Sequence, residues 1–195
     1  MEDCNSVGSI MRQNMTPGEL LIPIQKMTFC LDGAEIAIKK ALSYFVKLEG
    51  RELEWLPEYE KVAEWLTNTQ GRGLFMYGEC GRGKSLLGRY VIPGLLMHHF
   101  KKAMPVFDTI EMNTRLDEIL KMRLVSLDDI GTEDVIVNYG TRRQAFAEIM
   151  DNAEKRSVIL IISTNLANKA QIEEKYGTRV YERIISTTQR GKIHR

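Results

Sequence analysis

The residues best suited to chemistry lie in a glycine-rich segment, GECGRGKS, at positions 78–85. The segment matches the phosphate-loop pattern GxxxxGK[ST] in full. Its glycines let backbone N–H groups approach phosphate oxygens that a side chain would block. Lys84 can reach the β- and γ-phosphates, and Ser85 can offer its hydroxyl to Mg²⁺. We therefore predict a site for ATP or ADP with Mg²⁺. The predicted nucleotide-binding residues are Gly78, Glu79, Cys80, Gly81, Arg82, Gly83, Lys84, Ser85 and Leu86.

Two carboxylates follow an apolar run downstream of this loop, in the segment LVSLDD at 124–129. Asp128 is predicted to hold Mg²⁺, together with Ser85. Asp129 is predicted to orient or deprotonate the water that attacks the γ-phosphate. Taken alone, the pair could also be exposed carboxylates that begin a turn before Gly131. Behind a complete phosphate loop, the metal-binding interpretation is favoured.

A third polar group, STN at 163–165, ends the very apolar run VILII. In a parallel sheet, this places polar side chains at the same carboxyl edge as the phosphate loop. Asn165, or Thr164 beside it, is predicted to contact the γ-phosphate or the attacking water. Asn165 could instead cap the helix that follows.

The elements that must position these side chains alternate between strands and helices. Strands are predicted at 74–77, 105–109, 123–127 and 158–162. Helices are predicted from Asp32 to Gly50, from Pro57 to Leu66, at 84–100 with a kink near Pro93, and at 112–120, 141–155, 168–175 and 178–186. Because the strands are continuously apolar, they indicate a parallel sheet covered by helices on both faces, which is an α/β fold.

Length and composition restrict the remaining possibilities. The 195 residues suit about one domain, with residues 1–30 as a poorly ordered or partner-dependent arm. A net charge of +1 excludes the strongly basic composition of a nucleic-acid coat protein. Three cysteines without paired spacing suit a reducing cytoplasm, and no apolar run is long enough to span a membrane. His98 and His99 diverge on a helix, so no metal site is expected there.

The order of these motifs resembles the AAA+ ATPases of the DnaC, DnaI and IstB type, which are bacterial helicase loaders and transposition helpers. The resemblance rests on GLFMYGECGRGKS, LVSLDDIG, IISTNL and YGTRVYERI, and it covers about residues 57–188. It implies the P-loop NTPase (AAA+) three-layer sandwich with a mostly parallel sheet and a small or absent C-terminal lid. It also implies an AAA+ ATP-binding domain at 57–195, preceded by an arm and helix at 1–56 that would contact a partner.

The resemblance implies further roles for individual residues. Asn165 corresponds to the family's sensor 1, and Arg183 to its arginine finger, with Arg179 as a second candidate. Because an arginine finger acts on a neighbour's nucleotide, assembly into a homo-oligomer on ATP binding is implied. Without the resemblance, both arginines would be expected to be exposed or paired with Glu173, Glu174 and Glu182. Two departures stand out: Asp129 replaces the usual Glu, and the chain ends at GKIHR, where a last core strand would begin.

The implied function is an ATP-hydrolysing DNA helicase loader in DNA replication, acting in the cytoplasm on a replicative DNA helicase and single-stranded DNA, with no membrane partner. Small basic clusters could contact DNA phosphates, although ordinary solvated helix faces are the simpler interpretation. They are Lys101 and Lys102, Arg115, Lys121 and Arg123, and Arg142 and Arg143. The alternatives are an IstB-type transposition helper that binds duplex DNA, a small P-loop kinase, and an ATP-responsive DNA- or protein-binding switch with little hydrolysis.

Overall fold

Five parallel strands form the centre of the computed structural model, which describes residues 25–132, 136–138 and 141–193. The described residues form seven strands in all: β1 (Gly73–Gly78), β2 (Val106–Phe107), β3 (Leu124–Ile130), β4 (Ile136–Asn138), β5 (Thr141–Arg143), β6 (Ile159–Thr164) and β7 (Thr188–Ile193). The central sheet has the order β2-β3-β6-β1-β7, and β4 pairs with β5 as a separate antiparallel hairpin. Except for β2 and β3, neighbours in the central sheet are not consecutive in the chain, and helical crossovers connect the parallel strands.

The helices between these strands supply both outer layers. They are α1 (Ala34–Leu48), α2 (Pro57–Thr67), α3 (Lys84–Leu86), a π-helical turn (Leu87–Val91), α4 (Ile92–Phe100), α5 (Thr109–Thr114), α6 (Leu116–Ile119), α7 (Ala145–Arg156), α8 (Lys169–Tyr176) and α9 (Thr178–Thr187). Within the described ranges, none of these helices is long and apolar enough to cross a membrane.

Side chains that alternate along the strands divide the core into two layers. Leu74 and Met76 of β1 pack with α1, α2 and α4 on one face, whereas Phe75 packs with α5 to α9 on the other. On β6, Ile159 and Ile161 face the first layer, and Leu160 and Ile162 face the second. Because β1, β3 and β6 are apolar on both faces, the centre of the sheet is buried on both sides. The predicted three-layer α/β sandwich is confirmed.

Residues 25–30 are the only part of the predicted arm that the structure describes, and they pack on the core. Phe29 is buried, its backbone N–H donates to Thr69 Oγ1 at 2.9 Å, and its carbonyl accepts from the Thr69 N–H at 3.0 Å. The Leu31 N–H donates to the Leu66 carbonyl at 3.1 Å. These backbone hydrogen bonds therefore hold the segment before α1 against the C-terminal end of α2.

Most predicted elements are present, with corrections at their ends. The helix predicted at 141–155 starts at Ala145, because Thr141–Arg143 pairs as a strand with Ile136–Asn138. The helix predicted at 112–120 starts at Thr109, where Asp108 and Glu111 form a capping box. The helix predicted from Asp32 to Gly50 runs from Ala34 to Leu48, with Gly33 at the N-cap position at a φ of 69°.

The last core strand is also present, which corrects the expectation that the chain ends where this strand would begin. Thr188–Ile193 forms β7 and pairs in parallel with β1 along the whole of Gly73–Gly78. Arg72 fixes the junction before it, because its Nη2 donates to the carbonyls of Ile185 and Thr188 at 2.5 and 2.6 Å. The strand that leads into the phosphate loop therefore has a hydrogen-bonded neighbour on each side.

Candidate nucleotide-binding site

The phosphate loop connects β1 to α3 and lies at the carboxyl edge of the sheet. The loop ends at Gly83, which precedes Lys84 with a left-handed φ of 79°. A Cβ at position 83 would lie 2.7 Å from the Tyr59 hydroxyl oxygen, so a side chain there would be strained and would collide. The Tyr59 hydroxyl donates to the Arg82 carbonyl at 3.3 Å, and burial raises the pKa of Tyr59 above its ordinary value. Helix α2 thus contacts the phosphate loop through Tyr59 and stabilises its conformation.

Lys84 is held inside the loop by backbone carbonyls. Its Nζ donates to the Gly78 carbonyl at 2.9 Å and to the Glu79 carbonyl at 2.6 Å. Burial lowers the pKa of Lys84, whereas Cys80, Asp129 and Asp128 act in the opposite direction. A bound polyphosphate would favour the charged ammonium further, since an anion nearby stabilises the cation.

Asp128 and Asp129 both line the pocket because the end of β3 is irregular. The pairing register of β3 with β6 shifts between Leu127 and Ile130, which is a β-bulge at the two carboxylates. Asp129 adopts a left-handed φ of 57°, a conformation that Asp and Asn tolerate better than most residues. The bulge lets consecutive side chains reach one pocket, which regular strand alternation would prevent.

Ser163 joins the two carboxylates. Its hydroxyl donates to Asp128 Oδ1, and its Oγ accepts from the Asp129 backbone N–H at 2.9 Å. The second oxygen of Asp128, Oδ2, lies 3.1 Å from Arg89 Nη1. Asp128 is buried, so hydrogen bonds and an ion pair hold its charge in a fixed position.

Of the two alternatives at 164–165, the structure brings Asn165 into the pocket. Asn165 Nδ2 donates to Asp129 Oδ1 at 2.7 Å. Thr164 is buried, and its hydroxyl donates to the Ile130 carbonyl on the neighbouring strand, so it does not line the pocket. The alternative that Asn165 caps the next helix is wrong, since Asn168 caps α8 by accepting from the Gln171 N–H at 3.0 Å.

The pocket has a cavity volume of about 700 Å³. Its polar floor is the phosphate loop, Asp128, Asp129, Ser163 and Asn165. A further wall comes from the end of α1 and the start of α2, with apolar contributions from Val46, Leu53, Leu56 and Tyr59. The pocket thus combines an anion-binding floor with a partly apolar wall, as ligand sites that recognise a mixed polar and aromatic molecule do.

The donor set fits Mg²⁺. Asp128 offers a buried carboxylate and Ser85 an exposed hydroxyl, and both face the same pocket. In the part of the chain that the structure describes, no three His, Cys, Asp or Glu side chains form a metal cluster. Mg²⁺ does not require one, because it is commonly held by one or two protein oxygens together with nucleotide phosphates and water.

Several residues of the site were missed by the sequence analysis. Arg89, on the π-helical turn, contacts Asp128, and Glu58 forms an ion pair with Arg82 at 3.0 Å. Neither belongs to a recognisable motif. Ser163 did carry a signal, since residues 163 and 165 share a face of a strand whereas 164 lies on the other.

Arg183 and Arg179 lie outside the pocket. Arg183 is 8% exposed, pairs with Asp151, and donates from Nε to Glu154 Oε2 at 3.1 Å. The Arg179 side chain is 77% exposed, with its Nη2 4.0 Å from Asp151 Oδ2. Both arginines therefore face carboxylates on α7 rather than Glu173, Glu174 or Glu182, and the expected exposure is confirmed for Arg179 and wrong for Arg183.

Of the seven basic residues considered for DNA contacts, three arginines already bind other groups of the protein. Arg115 pairs with Glu118 at 2.7 Å, and Arg143 pairs with Glu148 at 2.6 Å. Arg123 donates to the Gln25 carbonyl at 2.8 Å. The side chain of Arg142 lies outside the described residues. These contacts favour the interpretation that the described basic clusters are solvent-exposed faces and not DNA-binding surfaces.

Comparison with known structures identifies the fold. No family model matches the chain, and no curated protein is significantly similar to it in sequence. The crystal structure of the DnaC helicase loader is 18% identical over 72% of this chain and 93% of its own, with a TM-score of 0.60. The crystal structure of DnaI is 20% identical over 63% of this chain and 70% of its own, with a TM-score of 0.46. The chain thus shares the fold of the DnaC helicase loader structure, an α/β sandwich around a parallel sheet, which is the fold that the motifs predicted.

Proposed function

We propose that this protein binds ATP with Mg²⁺, hydrolyses it, and acts as a helicase loader in DNA replication. The observation that carries the proposal is the convergence of Lys84, Asp128, Asp129 and Asn165 on one pocket at the carboxyl edge of the sheet. These side chains come from three different elements. Their types are those required to bind a triphosphate and to direct a water at it.

Each side chain has a task in this mechanism. Loop N–H groups and Lys84 bind the triphosphate, and the Lys84 charge stabilises the negative charge that the phosphates carry. Ser85 and Asp128 would hold Mg²⁺, which when bound would supply positive charge to the phosphates. Asp129 accepts a proton from the attacking water, or orients it, and Asn165 positions Asp129 through the 2.7 Å hydrogen bond.

Arg183 is proposed to complete the site of a neighbouring subunit, with Arg179 as the second candidate. Its present partners, Asp151 and Glu154, are themselves partly exposed, so the guanidinium lies close to the surface. An arginine that reaches a neighbour's γ-phosphate would stabilise the transition state there. This role requires a homo-oligomer that forms when ATP is bound.

The loader role is supported by likeness of fold to a protein named as a helicase loader. In this proposal, the partners are a replicative DNA helicase and single-stranded DNA. Residues 1–56 would contact the helicase, and 57–195 would form the ATP-binding domain. A transposition helper would share the chemistry and differ in preferring duplex DNA.

A switch with little hydrolysis is a second candidate that one observation favours. Asp129 has a side chain one methylene shorter than Glu, and Asn165 binds one of its two carboxylate oxygens. Because the base must lie within hydrogen-bond distance of the attacking water, a short carboxylate with only one oxygen left for the water predicts slow turnover.

The test is a measurement of ATP binding and of ATP hydrolysis by the purified protein alone, with single-stranded DNA, and with duplex DNA. Lys84→Ala serves as the inactive variant, and Lys61→Ala as a matched control, since Lys61 is an exposed lysine outside the pocket. Stimulation by single strands supports the loader, and stimulation by duplex DNA supports the helper. ATP binding without turnover under all conditions supports the switch, and failure of the wild-type protein to bind ATP would contradict the proposal.

A further inference from the structure

Arg89 contacts the carboxylate that is proposed to hold Mg²⁺. Its Nη1 lies 3.1 Å from Asp128 Oδ2, and the Asp128 side chain is only 6% exposed. The Arg89 side chain is 37% exposed and lines the same pocket as Lys84 and Ser85. A cation is thus already paired with the buried carboxylate at the place where a metal would be needed.

The two oxygens of Asp128 are engaged in different ways. Ser163 donates to Oδ1 from a buried position on β6, and the same hydroxyl also accepts from the Asp129 backbone. This contact joins two paired strands of the sheet, so it is fixed by the sheet itself. Arg89 reaches Oδ2 from a long, partly exposed side chain, which can rotate toward the pocket at little cost. The Arg89 contact is therefore the one that can be exchanged.

Lys84 cannot take the same place while its Nζ donates to the carbonyls of Gly78 and Glu79. The phosphate-binding lysine and the carboxylate-bound arginine thus occupy separate positions in the pocket. Arg89 lies on the π-helical turn Leu87–Val91, directly after the short helix that begins at Lys84. Such turns are frequent at functional sites, because they redirect side chains within a helix.

We propose that Arg89 is an internal cation that competes with Mg²⁺ for Asp128, so that Mg²⁺ arriving with nucleotide displaces Arg89 toward the phosphates. This inference rests on the proposed ATP site. The pair stabilises the buried carboxylate when no metal is bound, and the exchange raises the Mg²⁺ concentration that the site requires. The released guanidinium remains in the pocket, where phosphate oxygens are suitable bidentate partners.

The experiment is a Mg²⁺ titration of a fluorescent ADP bound to excess protein, which measures binding and not turnover. Arg89→Gln removes the charge, Arg89→Lys keeps it, and Arg115→Gln is a matched control outside the pocket. We expect the half-saturating Mg²⁺ concentration to fall about tenfold in Arg89→Gln, as expected for losing one competing charge-assisted hydrogen bond. Arg89→Lys should remain close to wild type, and Arg115→Gln should not change. An unchanged or higher Mg²⁺ requirement in a folded Arg89→Gln protein would overturn the inference.

A second measurement uses the wild-type protein and does not depend on the neutral variant folding. The arginine side-chain N–H resonance of Arg89 is identified by its absence in Arg89→Lys. It should move when Mg²⁺ is added to the ADP-bound protein, because the guanidinium leaves Asp128. A resonance that does not respond to Mg²⁺ contradicts the exchange. Failure of ADP to bind the wild-type protein at all would instead contradict the proposed function, so the two failures are distinguishable.

Discussion

The Asn165 amide donates a 2.7 Å hydrogen bond to the carboxylate of Asp129, and this bond connects the ends of two neighbouring strands at the pocket. The backbone of Asp129 is fixed at the same time by its N–H bond to Ser163. The carboxylate proposed to act on water is therefore positioned from β6, although it belongs to β3. This arrangement makes separate predictions for the charge of Asp129 and for its backbone.

Asp129→Asn should retain the fold and lose most of the hydrolysis. Asn tolerates the left-handed φ of 57°, so the free energy of unfolding should change by less than about 0.5 kcal/mol. Loss of the carboxylate should lower turnover by about 10²-fold, the contribution of a general base. Asp129→Ala should in addition lose about 1 kcal/mol of stability, because Ala is strained at this φ. Urea unfolding and ATP hydrolysis measure the two effects, and wild-type turnover in Asp129→Asn would exclude this residue as the base.

Gly73 at the start of β1 should tolerate no side chain. A Cβ there would lie 2.1 Å from the Leu160 carbonyl oxygen on β6, and neither backbone can move without breaking the sheet. Gly73→Ala should therefore cost about 3 kcal/mol or more. Gly94→Ala is the control, since position 94 is helical with open space around its Cβ, and it should gain about 0.5–1 kcal/mol. Equal stability of the two variants in urea unfolding would contradict this geometry.

Arg183→Ala and Arg179→Ala should differ in stability. The Arg183 side chain is nearly buried and contacts two carboxylates of α7, so its removal should cost about 1–2 kcal/mol, after allowance for the partial exposure of those partners. Arg179 is largely exposed, and its removal should change stability by less than about 0.5 kcal/mol. Thermal unfolding of the two variants tests the difference.

The proposed action of Arg183 on a neighbouring subunit requires a separate experiment. Arg183→Ala should bind ATP normally and hydrolyse it slowly, whereas Lys84→Ala should not bind it. A mixture of the two variants should regain turnover, because the first supplies an intact pocket and the second an intact arginine. If the mixture is no more active than its components while mixed assemblies form, Arg183 does not act in a neighbour's site.

Alkylation of Cys80 should block nucleotide binding. Cys80 is exposed and lines the pocket within the phosphate loop, so a maleimide adduct would fill the space that phosphates need. ADP should protect the wild-type protein, and Cys80→Ser should bind nucleotide and resist the reagent. Cys30→Ser is the control, since Cys30 is also exposed but lies outside the pocket and should leave the sensitivity unchanged. Inactivation of Cys80→Ser by the reagent would place the sensitive group elsewhere.

Sequence reasoning could predict the floor of the site because its residues follow apolar strands at short, fixed spacings. Lys84, Asp128 and Asn165 each stand directly after a strand or loop with a clear pattern. Arg89 and the wall formed by residues 46–59 had no such signal, since they are brought to the pocket by helix packing between distant segments. The β-bulge was equally invisible, because two consecutive aspartates do not reveal that both face one side.

Three strands, β4, β5 and β7, were not predicted from the sequence. Their residue types resemble those of loops, so a local sequence pattern does not identify them as strands. Thr188–Ile193 reads TQRGKI, with two basic residues and a glycine, and it becomes a strand through its pairing with β1. Ile136–Asn138 and Thr141–Arg143 are three residues each, too short for an alternation to be recognised. Tertiary pairing, rather than intrinsic propensity, decides such segments.

The π-helical turn Leu87–Val91 has a consequence for how the chain tolerates changes in length. It lies between Lys84 and Ser85, which must face the pocket, and Ile92, Leu95 and Leu96, which must face the core. A π turn holds one more residue than an α-helical turn, and each residue turns a helix by about 100°. Deleting one residue here would remove the extra residue and give a regular α-helix whose two halves keep their relative orientation. The same deletion in a regular α-helix such as α7 would rotate all following side chains by about 100°. The π-helical turn should therefore tolerate a single-residue deletion better than the regular helices do.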